Sequence, residues 1–156
     1  SKLGGELAIQ ASACRHLIFR TSWVFGPRGG NFLLTMLRLG REREELRVVD
    51  DQVGAPTSSR MIAEATAQVL RKPVGEGLFH LTAAGSTSWC GFAREIFSAA
   101  SMKTRVIPIA SAEYPTAAKR PRNSRLNCDK LRQAFALSLP TWQDETRLCL
   151  KVLTHN

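Results

Sequence analysis

The stretch Leu17-Ile18-Phe19-Arg20-Thr21-Ser22-Trp23-Val24-Phe25 decides the fold class. Its first three residues are apolar without a break, the pattern of a strand covered on both faces, as in a parallel sheet buried between helices. The spacing predicts one continuous central strand over 17–24. Upstream, residues 2–13 read as a helix. Downstream, Gly26-Pro27-Arg28-Gly29-Gly30 makes a turn, and a helix begins near Asn31 with Phe32, Leu33, Met36 and Leu37 facing inward and residues 41–45 as its charged end. Helix, strand and helix joined by short connections point to α/β layering.

The same alternation runs to the end. Leu46-Arg47-Val48-Val49 reads as a strand that runs into Asp50, Asp51 and Gln52. Gly54 and Pro56 then break the chain, and Ser58 or Ser59 caps a helix carrying Met61, Ile62, Ala65 and Val69, with Pro73 as its stop. Residues 77–82 form a third strand. From Ser88 a helix sets Trp89, Phe92, Ala93, Ile96, Phe97 and Ala100 on one stripe, which reads as a core-facing surface. A strand over 106–109, a helix within 126–137 and a last helix capped by Thr141 complete the pattern. That last helix is expected to bury Trp142, Cys149, Leu150 and Leu153. Residues 111–125 look like one long loop with Tyr114, two prolines and four basic residues, and a loop of that length in a compact domain is usually functional. It is expected to close over an anionic ligand.

The 156 residues fit one ordinary domain, and 44% hydrophobic content is enough for a sizeable core. No apolar run approaches the roughly 18 residues that cross a bilayer, and residues 1–6 lack the basic and apolar regions of a signal peptide. The expectation is a cytoplasmic protein with no membrane partner. Cys14, Cys90, Cys128 and Cys149 are far apart with no C-x-x-C, so they are expected to be reduced thiols rather than zinc or redox ligands. A net charge of +9 favours anionic partners such as nucleic acid, phospholipid or phosphorylated metabolites. Arg38, Arg41, Arg43 and Arg47 alternate with Glu42, Glu44 and Glu45, however, as on a solvated helix face.

Ligands of open parallel sheets bind beyond the carboxyl ends of the strands, which singles out residues 20–25 and 50–52. Trp23 has an amphipathic ring able to stack on a sugar or base while its indole N–H donates, although spacing alone favours a core role. The loop over 26–31 could cradle phosphate against the following helix, but it matches no phosphate fingerprint, so a plain turn is favoured. Asp50 and Asp51 are adjacent on an extended segment and point to opposite faces, and no metal site is assigned there. His16, His80 and His155 show no ligand or triad spacing, and no G-x-S-x-G or H-E-x-x-H occurs. Hydrolase chemistry has no support.

Taken together, S-K-L-G-G-E (1–6), H-L-I-F-R-T-S-W-V-F (16–25), N-F-L-L-T-M-L-R-L (31–39), D-Q-V-G-A-P-T (51–57), G-L-F-H-L (77–81) and R-P-R-N-S-R-L-N (120–127) resemble dTDP-4-dehydrorhamnose reductases in order and spacing. Y-P-T-A-A (114–118) and L-P-T-W (139–142) extend the likeness across the chain. These reductases belong to the extended short-chain dehydrogenase type. The resemblance implies an α/β, Rossmann-like NAD(P)-binding fold with a small α/β substrate-binding domain. Residues 1–156 would be its carboxyl-terminal part, where the end of the Rossmann-like domain interleaves with the substrate domain, and the cofactor-binding amino-terminal half would be absent.

The resemblance also assigns residues. In the family a Y-x-x-x-K pair does the chemistry, and its lysine matches Lys2, which also holds the nicotinamide ribose. The tyrosine falls four residues earlier, before Ser1, so a chain of this sequence alone is not expected to reduce anything. A lysine ammonium near the phenol works by favouring the phenolate. Trp23 matches the tryptophan that contacts the deoxysugar, and Arg28, Asn31, Gln52 and Arg125 are expected to contact the diphosphate or the pocket wall. The implied reaction is NADPH- or NADH-dependent reduction of dTDP-4-dehydro-β-L-rhamnose to dTDP-L-rhamnose. Some relatives place Mg2+ at dimer contacts, but Arg60 beside Glu64 makes acidic ligands doubtful there. The expected partners are a dTDP-sugar and, through apolar surface left uncovered on the early helix and strand, a second copy in a homodimer or looser self-association. Two other readings are a noncatalytic binding subunit resembling these reductases, and a nucleic-acid module built on residues 119–125. Lys2 and Trp23 lean against the first, and the lack of interleaved aromatics leans against the second.

Overall fold

A computed structural model describes residues 1–72, 75–114 and 120–154 of the chain; the expectations at Pro73, His155 and residues 115–119 lie outside the described residues. Helix α1 (Lys2–Ala11) leads into β1 (Leu17–Arg20), and β2 (Val24–Phe25) leads into α2 (Phe32–Glu42). Then come β3 (Glu45–Val49), β4 (Val53–Gly54), β5 (Thr57–Ser58) and α3 (Ser59–Leu70). Next are β6 (Gly77–His80), β7 (Thr87–Ser88), α4 (Trp89–Ala99), β8 (Arg105–Ile109), a single 3-10 turn at Ser111–Glu113, α5 (Asp129–Phe135) and α6 (Trp142–Thr154).

The strands meet in pairs. β1–β6, β2–β5 and β3–β8 are parallel, and β4–β7 is antiparallel. Parallel partners need long crossovers, and helices supply them here. Side-chain caps start three helices where the sequence placed them: Asn31 accepts from Leu34 N, Ser58 from Met61 N and Ser88 from Gly91 N.

The expected continuous strand over 17–24 is corrected to two pieces. The Arg20 carbonyl accepts from Leu81 N at 2.8 Å, ending the ladder with β6, and Trp23 then turns through φ +50° before Val24 pairs with Thr57. The chain changes partner strands at this point. Left-handed backbone costs a non-glycine residue about 1–2 kcal/mol, so the surroundings must hold Trp23 there. The charged end of α2 also stops early, at Glu42, because Arg43 is extended and Glu45 is already paired with Arg105 in β3–β8.

The core gathers under α4. Phe92 is 0% exposed and touches the rings of Phe25 (centroids 5.3 Å), Phe32 (5.4 Å) and Trp142 (6.0 Å). Gly40 of α2 lies so close to Phe97 that a Cβ there would sit 2.6 Å from the ring, so glycine sets the approach of α2 to α4.

α1 contrasts with this, having no buried residue, and Leu3 and Leu7 are 59% and 55% exposed. The expected apolar exposure is therefore present on the early helix, whereas over residues 17–24 it is corrected to Val24, at 48%, because Ile18 is buried and Leu17 and Phe19 are half-buried. What fastens α1 is a fork in which Arg20 Nη2 and Nε donate to Glu6 Oε2 and Oε1 at 2.6 and 3.0 Å.

All four cysteines are free thiols. Burial raises the pKa of Cys90, and burial first and the nearby Glu145 second push Cys149 up to about 11. A thiol reacts as its thiolate. At pH 8 an alkylating reagent should therefore modify exposed Cys14 first, and Cys90 and Cys149 only after denaturation, as read by peptide mass spectrometry. Adducts on Cys149 as early as on Cys14 would contradict this packing.

Candidate functional site

The chain beyond β1 and the chain beyond β3 meet at β4. Trp23 follows the end of β1, and Gly54 of β4 lies against its indole so closely that a Cβ would be 2.5 Å from Cε2. Trp89 stacks on Trp23 with centroids 3.6 Å apart and 9° between planes. Phe32 packs on the Trp89 ring at 4.7 Å.

Trp89 arrives there through backbone pairing. Val53 is opposite Ser88 in β4–β7, Ser88 Oγ donates to Asp50 Oδ1, and the helix starts at the next residue. Its indole Nε1 donates to Gln52 Oε1 at 3.3 Å, and Gln52 Nε2 donates to Ser111 Oγ at 2.9 Å. Ser111 donates from both its backbone N (2.9 Å) and its hydroxyl to Asp51 Oδ1. Asp50 and Asp51 do point apart, and each fastens a loop. The Ser111 hydroxyl, chiefly, and the Arg122 charge, less so, hold the Asp51 carboxyl below its ordinary value.

The basic segment joins the same place. Val53 N donates to Arg122 O and Ser124 N donates to Val53 O, both at 2.8 Å, which brings Asn123 alongside β4. Arg125 folds back on Asn123 Oδ1 through Nε at 3.0 Å and otherwise faces a cavity of about 510 Å³ between Ala83–Ser86 and α5. A cavity of about 590 Å³ between residues 40–45 and 103–105 lies at the amino ends of β3 and β8, the wrong end for this cluster.

The expected site residues thus divide. Trp23 and Gln52 meet at β4, both touching Trp89, while Arg125, two residues beyond the Asn123 that pairs with Val53, faces the separate cavity beside α5. Asn31 caps α2, and its Nδ2 donates to Gly26 O at 2.9 Å, so it closes its own loop one residue before Phe32. Arg28 is exposed on that loop. Lys2 is exposed at the start of α1, one helical turn before Glu6, which Arg20 holds at the carboxyl end of β1. Trp89 and Ser111 were missed: Trp89 fell on a core stripe, and only its indole N–H, which needs a partner when half-buried, signalled another role. His16 Nδ1 and His80 Nδ1 lie against the Cys14 and Asn127 carbonyls, consistent with structural roles.

The whole chain can now be placed. A family model described as the RmlD substrate binding domain matches residues 1–155. The chain belongs to that family. An Escherichia coli K12 dTDP-4-dehydrorhamnose reductase is 48% identical over 92% of the chain and 51% of its own length. A Clostridium acetobutylicum dTDP-4-dehydrorhamnose reductase crystal structure superposes with TM-score 0.93 and 36% identity, over 98% of this chain and 54% of that one. One from Bacillus anthracis, solved in complex with NADP, gives TM-score 0.90 and 36% identity, over 97% and 53%. The α/β, Rossmann-like fold expected from the sequence is the one these structures share. The chain spans about half the length of the relatives it matches. No described helix is long and apolar enough to cross a membrane.

Two depressed carboxylates set a pH limit. The pKa values of Asp51 and of Glu6, the latter lowered mainly by its hydrogen bond from Arg20, lie below their unfolded values of about 3.9 and 4.3. Their contribution to stability is complete above those values and is lost as pH falls through the folded ones. Stability should be flat from pH 7 to about 5 and fall below about 4. Asp51→Asn should shrink that fall in an acid titration followed by circular dichroism, and an unchanged acid limb would remove Asp51 from the account.

Proposed function

We propose that this chain is the substrate-recognising part of a dTDP-4-dehydrorhamnose reductase, which reduces dTDP-4-dehydro-β-L-rhamnose to dTDP-L-rhamnose with NADPH or NADH. The observation that supports the reading is the meeting of Trp23 and Gln52 on Trp89 at β4, with Arg125 two residues beyond the Asn123 that pairs with Val53 and Lys2 one helical turn before the Glu6 that Arg20 holds. Trp23 offers an aromatic edge and an indole N–H that has no hydrogen-bond partner among the described residues, suited to a deoxysugar. Arg125 offers a guanidinium suited to a diphosphate. A nicotinamide, when bound, supplies the hydride. Lys2, exposed and in no ion pair among the described residues, has the donor chemistry to hold its ribose hydroxyls.

Magnesium does not fit. Arg60 donates to Glu64 and to Glu145, at 2.6 Å to the latter, so both carboxylates already face a guanidinium. Self-association through the uncovered Leu3 and Leu7 face is part of the proposal and is read by sedimentation velocity.

The deciding experiment is calorimetric titration of the folded chain with dTDP-L-rhamnose and with dTDP. Tighter binding of the sugar nucleotide is expected, with the advantage cut roughly tenfold in Trp23→Ala. Absence of any binding to a folded chain would remove the support for a substrate site around β4.

A further inference from the structure

We infer that Trp89 is a positioning residue: with Gln52 it holds the Trp23 indole in one orientation and so sets selectivity for the sugar part of the ligand. The inference rests on the proposed substrate.

Trp23 occupies left-handed backbone, at φ +50°, which a bulky residue leaves unless several contacts hold it. Three do. Its carbonyl accepts from Thr57 N at 3.2 Å, Gly54 leaves no room for even a methyl group beside the indole, and Trp89 covers a ring face at 3.6 Å. The carbonyl fixes where the ring begins, Gly54 lies against its Nε1, Cε2 and Cζ2 atoms, and the parallel Trp89 ring, 9° from it, sets its plane.

Trp89 is itself fixed by both ends of a hydrogen-bond chain. Its Nε1 donates to Gln52 Oε1, Gln52 Nε2 donates to Ser111 Oγ, and the Ser111 hydroxyl donates to Asp51. Each donor has one acceptor in this sequence, so the Gln52 amide has one orientation and the Trp89 ring follows it. From below, Phe32 packs on the Trp89 ring at 4.7 Å and stacks on Phe92 at 5.4 Å. Stacking on Trp89 leaves Trp23 to meet a ligand by its edge, where an Nε1–H without a hydrogen-bond partner among the described residues lies. Such contact depends on the hydroxyl pattern of a sugar and little on a nucleotide, so the orientation set by Trp89 should act on the sugar and not on the dTDP part.

The test uses the full chain and the variants Trp23→Ala, Trp89→Ala, Trp89→Phe and the double Trp23→Ala/Trp89→Ala. In each, affinity for dTDP-L-rhamnose and for dTDP is measured, with far-ultraviolet circular dichroism as a monitor of the stacked indole pair. Stacked indoles couple excitonically, so the couplet should vanish equally in Trp23→Ala and Trp89→Ala. Trp89→Ala should weaken dTDP-L-rhamnose roughly tenfold while leaving dTDP within about twofold, and the double variant should lose no more than Trp23→Ala alone. Trp89→Phe, which keeps a ring on Trp23, should recover most of the loss. Equal weakening of both ligands, or additive losses in the double variant, would overturn the inference and leave a merely structural role. Should the unmodified chain bind dTDP-L-rhamnose no more tightly than dTDP, the proposed substrate fails and this inference falls with it. A sugar-specific advantage that survives in Trp89→Ala overturns the inference alone.

Discussion

Phe92→Ala should cost about 4 kcal/mol of stability, which for a chain of this size is a fall in melting temperature of roughly 8–16 °C. The residue is 0% exposed and packs against Phe25, Phe32 and Trp142, which come from β2, α2 and α6. Side chains from three elements cannot all collapse into the space a ring vacates, so the cavity persists and its cost adds to the lost burial. The effect should reach the site as well, because Phe32 is held between Phe92 and Trp89. Differential scanning calorimetry checks the first part and the Trp23–Trp89 couplet the second. A fall of less than about 3 °C would mean that α4 is not the centre of the core.

The second large effect is expected at Arg60→Met. Glu145 on α6 is only 2% exposed, and its carboxylate is held by Arg60 Nη2 at 2.6 Å and by the Ser58 hydroxyl. Removing the guanidinium leaves a buried carboxylate with one neutral donor. Breaking a buried pair from one side costs roughly 3–5 kcal/mol. Arg60 is itself 40% exposed, so water can partly replace it, and about 3 kcal/mol is the expected loss in urea titration. The double variant Arg60→Met/Glu145→Leu should recover most of that loss, since it buries no unpaired charge. If it were as unstable as Arg60→Met, the packing of the arginine stem rather than the ion pair would be what matters.

Much of this was legible in the chain. The uninterrupted Leu17-Ile18-Phe19 run identified a covered parallel strand because period and apolarity are local properties. Asn31, Ser58 and Ser88 marked helix starts because a cap acts on the backbone N–H three residues ahead. Trp23 and Gln52 were singled out because ligands of such sheets bind beyond the carboxyl ends of the strands, although spacing alone favoured a core role for Trp23.

What was not legible depends on partners distant in sequence. Nothing local shows that the chain leaves β6 for β5 between Arg20 and Val24, because the break is made by Leu81 and Thr57, which bond the Arg20 and Trp23 carbonyls. Trp89 read as core because its stripe is apolar, and its stacking on Trp23 exists only through the β4–β7 pair that sets Ser88 opposite Val53. Nothing local marks Glu145 as buried, because the Arg60 that pairs with its carboxylate lies 85 residues earlier. The sequence by itself determined the layering, the helix starts and the family. The tertiary structure alone decided which strand each residue pairs with, and with that which side chains share the site and how each is held, because contacts between distant residues depend on register and crossing that no local pattern encodes.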